Sequence, residues 1–539
     1  MNALKLFIGI GLTTMALSPQ VQSADYYVDP LSGNDANPGT SVSAAFQTMA
    51  SALAVAGAGD TILLQPSSEP YRMMIDMTNH RGGTLDDPLV IDGQGSKLSG
   101  ADMLDPAGWQ QASADVVKRS DVVSQAFLVM GKDFVPQTLV RDLLNPGEVA
   151  WEEGEKLFYY YPPKGTEPSF WNIEVLDNGE WKTLDGRKFE RSHSKVDALR
   201  YRDLANVTAA KVDSTSRELV NVETRLKPGS WGVRDGTMYL YPPEGVTVDD
   251  LKLQACVRMN GMQFGRGNTS HVVVKNFNVE HVFNDAYNIH NDCKDLSFLN
   301  CNAFQCGDEG ISAHETSEIV VDGAVFEQCD VGITHINGTR TVTRNVAIRD
   351  ARSSGFATIS LHEGSEHILE NVVIVNCPIG IEGGMIKGKN ILIAALEGYA
   401  EARTFLNASG EVSLENITFV GSVKGVADIA KTASVVLKNV VAGVDSGYLR
   451  IRADDASSVL RMENSVLGEG MVVEAGAIPP WKPQPIGPWL FALPGENQVA
   501  PMIMEAAWGW TQAKAWAPRG CSEELWNRLR APNAQPGGG

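Results

Sequence analysis

Residues 272–279 read VVVKNFNV and residues 296–304 read LSFLNCNAF. The pattern apolar-x-apolar-x-x-Asn-x-apolar then recurs, with small variations, through VVDGAVF (320–326), TVTRNVAI (341–348) and ILENVVI (368–374). It continues in SLENITF (413–419), VVLKNVV (435–441) and LRMENSVL (460–467). The Asn or Asp positions 276, 300, 322, 345, 371, 416, 439 and 464 step by 24, 22, 23, 26, 45, 23 and 25. The step of 45 spans two units, one of them in ILIAALEG with no Asn in place. A second column lies between these runs at Ile311, Ile333, Ile359 and Ile381. Two short strands every ~23 residues are too short for a βα unit and fit one coil of a parallel β-helix, whose coils bury their apolar faces only by stacking. Asn at a fixed corner tolerates left-handed backbone and stacks its amide along the solenoid.

The chain has 539 residues, 52 of them glycine, and is 43% hydrophobic. That balance excludes disorder and supports a large cored, turn-rich β protein. With 45 basic and 65 acidic side chains the net charge is −20, which argues against sequence-independent nucleic-acid binding. Seven cysteines, with no CxxC pair, make neither a disulfide framework nor a structural zinc site, and Cys306 and Cys329 are expected as stacked core thiols.

Outward from the repeat, the expected organisation has five parts. Residues 1–23 read as a signal peptide, with Lys5, an apolar run over Leu6–Leu17 and small residues at Val21-Gln22-Ser23. The apolar run is too short to span a bilayer, so the chain is expected to be secreted or periplasmic, without a membrane span. Residues 24–100 are expected to form an N-terminal cap, with a helix over Ala44–Val55 closing the first coils, among them LVIDGQGSKLSG at 89–100. Residues 101–250 break the period and read as an inserted β-rich domain. Trp151 and the Tyr-Pro-Pro segment at 159–165 recur 80 residues later at Trp231 and 239–245. Residues 251–478 are the main solenoid, and 479–539 an irregular Pro- and Trp-rich end. The fold class expected is all-β, a right-handed parallel β-helix, acting as a monomer.

Aligned coils concentrate the chemistry. Asn284-Asp285-Ala286-Tyr287-Asn288-Ile289-His290 matches Asp308-Glu309-Gly310-Ile311-Ser312-Ala313-His314 at an offset of 24. With the isoleucines inward, alternation predicts outward columns Asn288, Ser312, Thr334, Ser360, Glu382 and His290, His314, Ile336, His362. Four of the nine histidines (290, 314, 335, 362) fall on this stretch. Carboxylates and imidazoles stacked ~4.8 Å apart repel or titrate, which marks a functional site. The expected catalytic set is Asp285, Asp308, Glu309, His290 and His314. The expected substrate-binding set is Tyr287, Asn288, Ser312, His335, His362 and Glu382. One chemistry for such a group is glycoside hydrolysis, with one carboxyl as acid and another as base or nucleophile. The other is polysaccharide lysis, with Asp285, Asp308 and Glu309 holding calcium. No cofactor is required in the first. A non-catalytic carbohydrate-binding or adhesin solenoid is a third class.

The segments YYVDPLSGNDANPGT (26–40), AGDTI (58–62), NDAYNIH (284–290) and CGDEGISAHE (306–315) resemble exported right-handed parallel β-helix proteins of the pectate-lyase-like superfamily. In polygalacturonase-type hydrolases an Asn-x-Asp motif is followed by Gly-Asp-Asp and then a His, which implies roles for Asp285, Asp308 and Glu309. Here Glu309 stands for the second Asp, and no Gly-His-Gly motif appears, with His335 near its place. In family 9 pectate lyases an Asp and an Asp-Asp-Gly-x-Asp motif bind calcium. Asp285, Asp308 and Glu309 match again, but Ser312 replaces the last Asp and no Lys appears in SGFATISLHE (354–363). The resemblance implies a polysaccharide substrate.

Overall fold

The structure, a computed structural model, describes residues 23–138 and 225–440 with their side chains, except 235, 266–268, 360–363, 396–404, 420–426 and 429–433. For further strands in 149–213 and 404–475 it describes the backbone course. Residues 1–22 of the expected signal, His362 and the expected end segment 479–539 lie outside the described residues.

The repeat builds a parallel β-solenoid. One wall is an 11-stranded sheet running from Ile75–Asp76 through Met262–Phe264, Tyr287–Ile289, Glu309–Ala313, Val331–Ile336, Ser354–Ile359 and Ile379–Glu382 to Met471–Ala475. A 17-stranded sheet forms the facing walls. Strand Asp25–Val28 pairs with Thr61–Leu64, that strand with Leu89–Asp92, and Leu89–Asp92 directly with Ser270–Lys275. The stack therefore continues across the chain's excursion between them. Within the excursion the pairing is antiparallel, as in Ser230–Arg234 against Thr237–Tyr241. Trp231 there is fully buried and its indole N–H donates to the Val135 carbonyl at 2.9 Å, so this aromatic packs a local core rather than facing a sugar.

The helix covers Met49–Val55, shorter at its start than the expected Ala44–Val55. Thr48 caps it by accepting the Ser51 N–H, and Val42–Ala44 forms a separate 3-10 turn. Met49 and Ala52 enter the same apolar core as Val28, Ile62 and Ile75. Among the described residues no helix is long and apolar enough to cross a membrane. Cys306 and Cys329 are buried free thiols.

Two features of the repeat differ from expectation. The corner ladder does include the unit around ILIAALEG, because Asn390 (φ 59°) donates its amide to Asn371, which donates to Asn345 at 3.0 Å. That Asn immediately precedes the apolar run. The Asn amides thus rise the solenoid in left-handed corners, each bond contributing about 1 kcal/mol net. At the 322 corner the left-handed residue is Gly323 (φ 75°), where an added Cβ would lie 2.5 Å from Asn300 Oδ1. The inner column is also out of step with the isoleucine spacing. Tyr287, Ile311, Ile333, Phe356 and Ile379 are in register, so Phe356, not Ile359, follows Ile333. A large aromatic fills the wall as well as isoleucine does. The shift puts Ala357 and Gly380 beside Thr334, and moves Glu382 opposite Ile359.

Candidate active site

The corner entering each strand of the 11-stranded sheet carries the acids. Backbone bonds stack these corners: Asn284 N–H donates to Met259 O, Asp308 to Asn284, Asp330 to Asp308 and Ser353 to Asp330, at 2.8–3.1 Å. The chain can turn this tightly because Gly307 has no Cβ, which would lie 2.1 Å from the Phe283 carbonyl. The Asp285, Asp308 and Glu309 side chains are thereby brought together, with one oxygen of each within 4.8 Å of the others.

Asp285 is the buried member, 1% exposed. Its Oδ2 accepts from Asn288 Nδ2 at 2.5 Å and Ser312 Oγ at 2.6 Å, and its Oδ1 from the Glu309 N–H at 3.2 Å. Asn260 Oδ1 receives both the Asp285 N–H and the Asn284 amide. Asn288, Ser312 and Thr334, in register on three neighbouring strands, form the floor beneath the acids. Each is at most 6% exposed. The Glu309 carboxyl is hydrogen-bonded to Asp285. Burial first, then that bond and the charges of Asp285 and Asp308, push its pKa up to about 10. Asp308, partly exposed, is also raised, by burial and then by Asp285 and Asp330. The site is thus a carboxyl held protonated at neutral pH beside a second, more accessible one.

His290 and His314 stack with ring centroids 4.1 Å apart at 22°, beyond the other end of these strands. Burial and the neighbouring His290 lower the pKa of His314.

Several expected substrate contacts lie elsewhere. Tyr287 is fully buried in the inner column, and its hydroxyl donates to the Asn302 carbonyl at 3.1 Å. His335 is also inside, because it shares the column of Ala313 and Thr358 rather than that of Thr334. It is fully buried and stacks on His367 at 5.0 Å. Neither residue can meet a substrate. Asn288 and Ser312 hold Asp285 rather than facing solvent. Glu382 is exposed but three coils from Glu309 and on another column.

Arg352 was not singled out in the sequence. Its guanidinium donates to the Gln328, Cys306 and Gly307 carbonyls and lies 3.5 Å from Asp330. It straps the acid corners together and brings positive charge near Asp308. Its ring contact with Phe127 at 4.9 Å ties the corners to the excursion. Asn260 was also missed, although it lies 24 residues before Asn284, on the repeat period.

No family model matches the sequence, and no curated protein matches it. Solved structures do. The chain is similar to a glycoside hydrolase, at 13% identity over 82% of this chain and 96% of that one, with a TM-score of 0.47. It is similar to a protein named XylC in complex with xylose, at 12% identity, 82% and 86% coverage and a TM-score of 0.36. A rhamnogalacturonan lyase aligns at 11% identity over 82% and 87%, with a TM-score of 0.29.

Proposed function

We propose that the protein is an exported, monomeric carbohydrate-active enzyme, a glycoside hydrolase that takes a polysaccharide along the flank of the solenoid. The observation that carries this reading is the Glu309 carboxyl, hydrogen-bonded to buried Asp285 and within 4.8 Å of the more accessible Asp308. Glu309 gives its proton to the departing glycosidic oxygen. Asp308 acts on the sugar carbon, and Asp285, fixed by Asn288 and Ser312, holds Glu309 in its protonated form. An inverting pair needs ~6.5–9.5 Å to admit a water, whereas a retaining pair stands at ~5–5.5 Å. The close approach here favours retention, with Asp308 as nucleophile. A release-of-sugar screen over neutral and acidic polysaccharides, run with Asp308→Asn alongside, tests this. New reducing ends from wild type and none from the variant support it, and equal release from both removes the site assignment.

The second reading is a calcium-assisted lyase, favoured by the convergence of the same three carboxyl groups. All-oxygen donors within 4.8 Å suit a hard cation, and Asp285, Asp308 and Glu309 would hold it. The ion would neutralise a substrate uronate. Unsaturated products absorbing in the near ultraviolet, lost on chelation, would replace the hydrolase reading with this one.

A further inference from the structure

We propose that His290, His314 and Glu315 form a binding site for a divalent transition metal of the zinc class, at the edge of two neighbouring coils. The inference stands on residues outside the Asp285, Asp308 and Glu309 cluster and does not depend on the hydrolase reading.

The two histidines occupy equivalent positions one coil apart. His290 N–H donates to Phe264 O and His314 N–H to Ile289 O, which continues the ladder past the strand ends. Stacking follows from that register, with the rings 4.1 Å apart. The next residue in each coil takes a left-handed corner, and Asn occupies it at 291 (φ 64°) and 337 (φ 65°). In the coil between, Glu315 adopts the same backbone at φ 54°. Glutamate is poorly suited to that conformation, whereas asparagine tolerates it. What the longer side chain provides is reach. Its carboxylate turns back one coil, accepts the Asn291 N–H at 2.7 Å and sits 3.3 Å from His290 Nδ1.

One nitrogen from each ring and one Glu315 oxygen therefore lie within 4.8 Å of one another. Two imidazoles and one carboxylate match zinc and its neighbours in the first transition row, whereas calcium takes oxygen donors throughout. Ligand atoms around tetrahedral zinc stand about 3.4 Å apart, from bond lengths near 2.0–2.1 Å. Small side-chain rotations close the gap. They are available because the His290 and Glu315 side chains are 39% and 44% exposed. The same exposure admits the ion and leaves room for water in the remaining position, the arrangement of an open rather than a closed zinc site. Among the described residues the ion-pair partner of Glu315 is His290 itself, so no lysine or arginine already holds the carboxylate. Ser312, which donates to Asp285, lies two residues before His314, so the ion would sit just past the end of the strand that carries Glu309.

The test uses the full chain without a polyhistidine tag, stripped of metal and titrated with zinc by calorimetry, with bound metal counted by elemental mass spectrometry. One equivalent is expected, undiminished by millimolar calcium. His314→Ala and Glu315→Asn should each weaken it at least about 10-fold. Glu315→Asn suits the left-handed corner, so its folding, followed by circular dichroism, should match or exceed wild type while the metal is lost. Asp308→Asn should bind zinc as wild type does. Absence of saturable binding, unchanged affinity in the folded Glu315→Asn protein, or equal weakening by Asp308→Asn would each overturn the assignment.

Discussion

Glu309 stands one coil on from Asp285 and meets it twice: its N–H donates to Asp285 Oδ1 at 3.2 Å, and its carboxyl is hydrogen-bonded to the same side chain. Partial burial, the Asp285 hydrogen bond and the charges of Asp285 and Asp308 together hold the proton on Glu309. The same residue that would supply catalytic power is therefore one the fold holds at a cost.

Glu309→Gln is expected to lower the rate of glycoside cleavage by about 10²–10⁴, the usual contribution of a general acid. Its effect on stability should have the opposite sign. A carboxyl whose folded pKa is raised contributes fully below its ordinary value of 4.5 and progressively less as pH rises toward about 10. Gln carries no such dependence. The melting temperature of the variant should equal that of wild type near pH 4 and exceed it by about 3 °C or more at pH 8. A gain that shrinks as pH rises would contradict a proton held on Glu309.

Under the proposed hydrolase mechanism, the close approach of Asp308 and Glu309 predicts retention. Proton NMR of the first product formed should show the anomer of the substrate, and Asp308→Asn should abolish its formation. Net inversion would mean that a water sits between acid and base and that Asp308 is not the nucleophile.

The solenoid interior holds a second titrating pair. His335 and His367 stack at 5.0 Å in the core, and neither ring nitrogen of His335 makes a well-formed hydrogen bond. Burial lowers both pKa values, to about 4 for His367. Stability from a lowered group is present above 6.5 and lost as pH falls toward 4. Melting curves should therefore drop steeply between pH 6.5 and 4, and less so in His335→Leu, which removes one of the two groups. Parallel curves for the two proteins would contradict this.

The Asn ladder should be measurable in denaturant. Asn371 donates to Asn345 and accepts from Asn390 in a left-handed corner. Asn371→Ala loses both bonds and forces alanine into that corner, for a loss of about 3 kcal/mol, and Asn371→Gly should recover about a third by relieving the backbone. Equal losses in the two variants would mean that backbone conformation contributes nothing there.

The solenoid was legible because its coils repeat one physical requirement, a left-handed corner followed by an alternating strand, and Asn serves the corner at 276, 300, 345 and 371. The acid corner was legible for the same reason, since Asp285 and Asp308-Glu309 sit one period apart. Side-chain direction was less so. Ile359 and Phe356 both fit an apolar column, and a slip of three residues there, two in the next coil, places Glu382 on another column. His335 follows Thr334 by one residue, so strand alternation alone sends it inward, and a polar side chain gave no warning of a core position. Arg352 acts through backbone carbonyls, which carry no sequence signature.

Infrared difference spectroscopy of wild type against Glu309→Gln, on protein with isotope-labelled glutamate carboxyls at pH 7, reads the central proton directly. The expected result is a protonated carboxyl C=O band in wild type that the variant lacks and that fades only toward pH 10. A spectrum showing Glu309 as carboxylate at pH 7 would contradict the assignment of the acid and, with it, the mechanism.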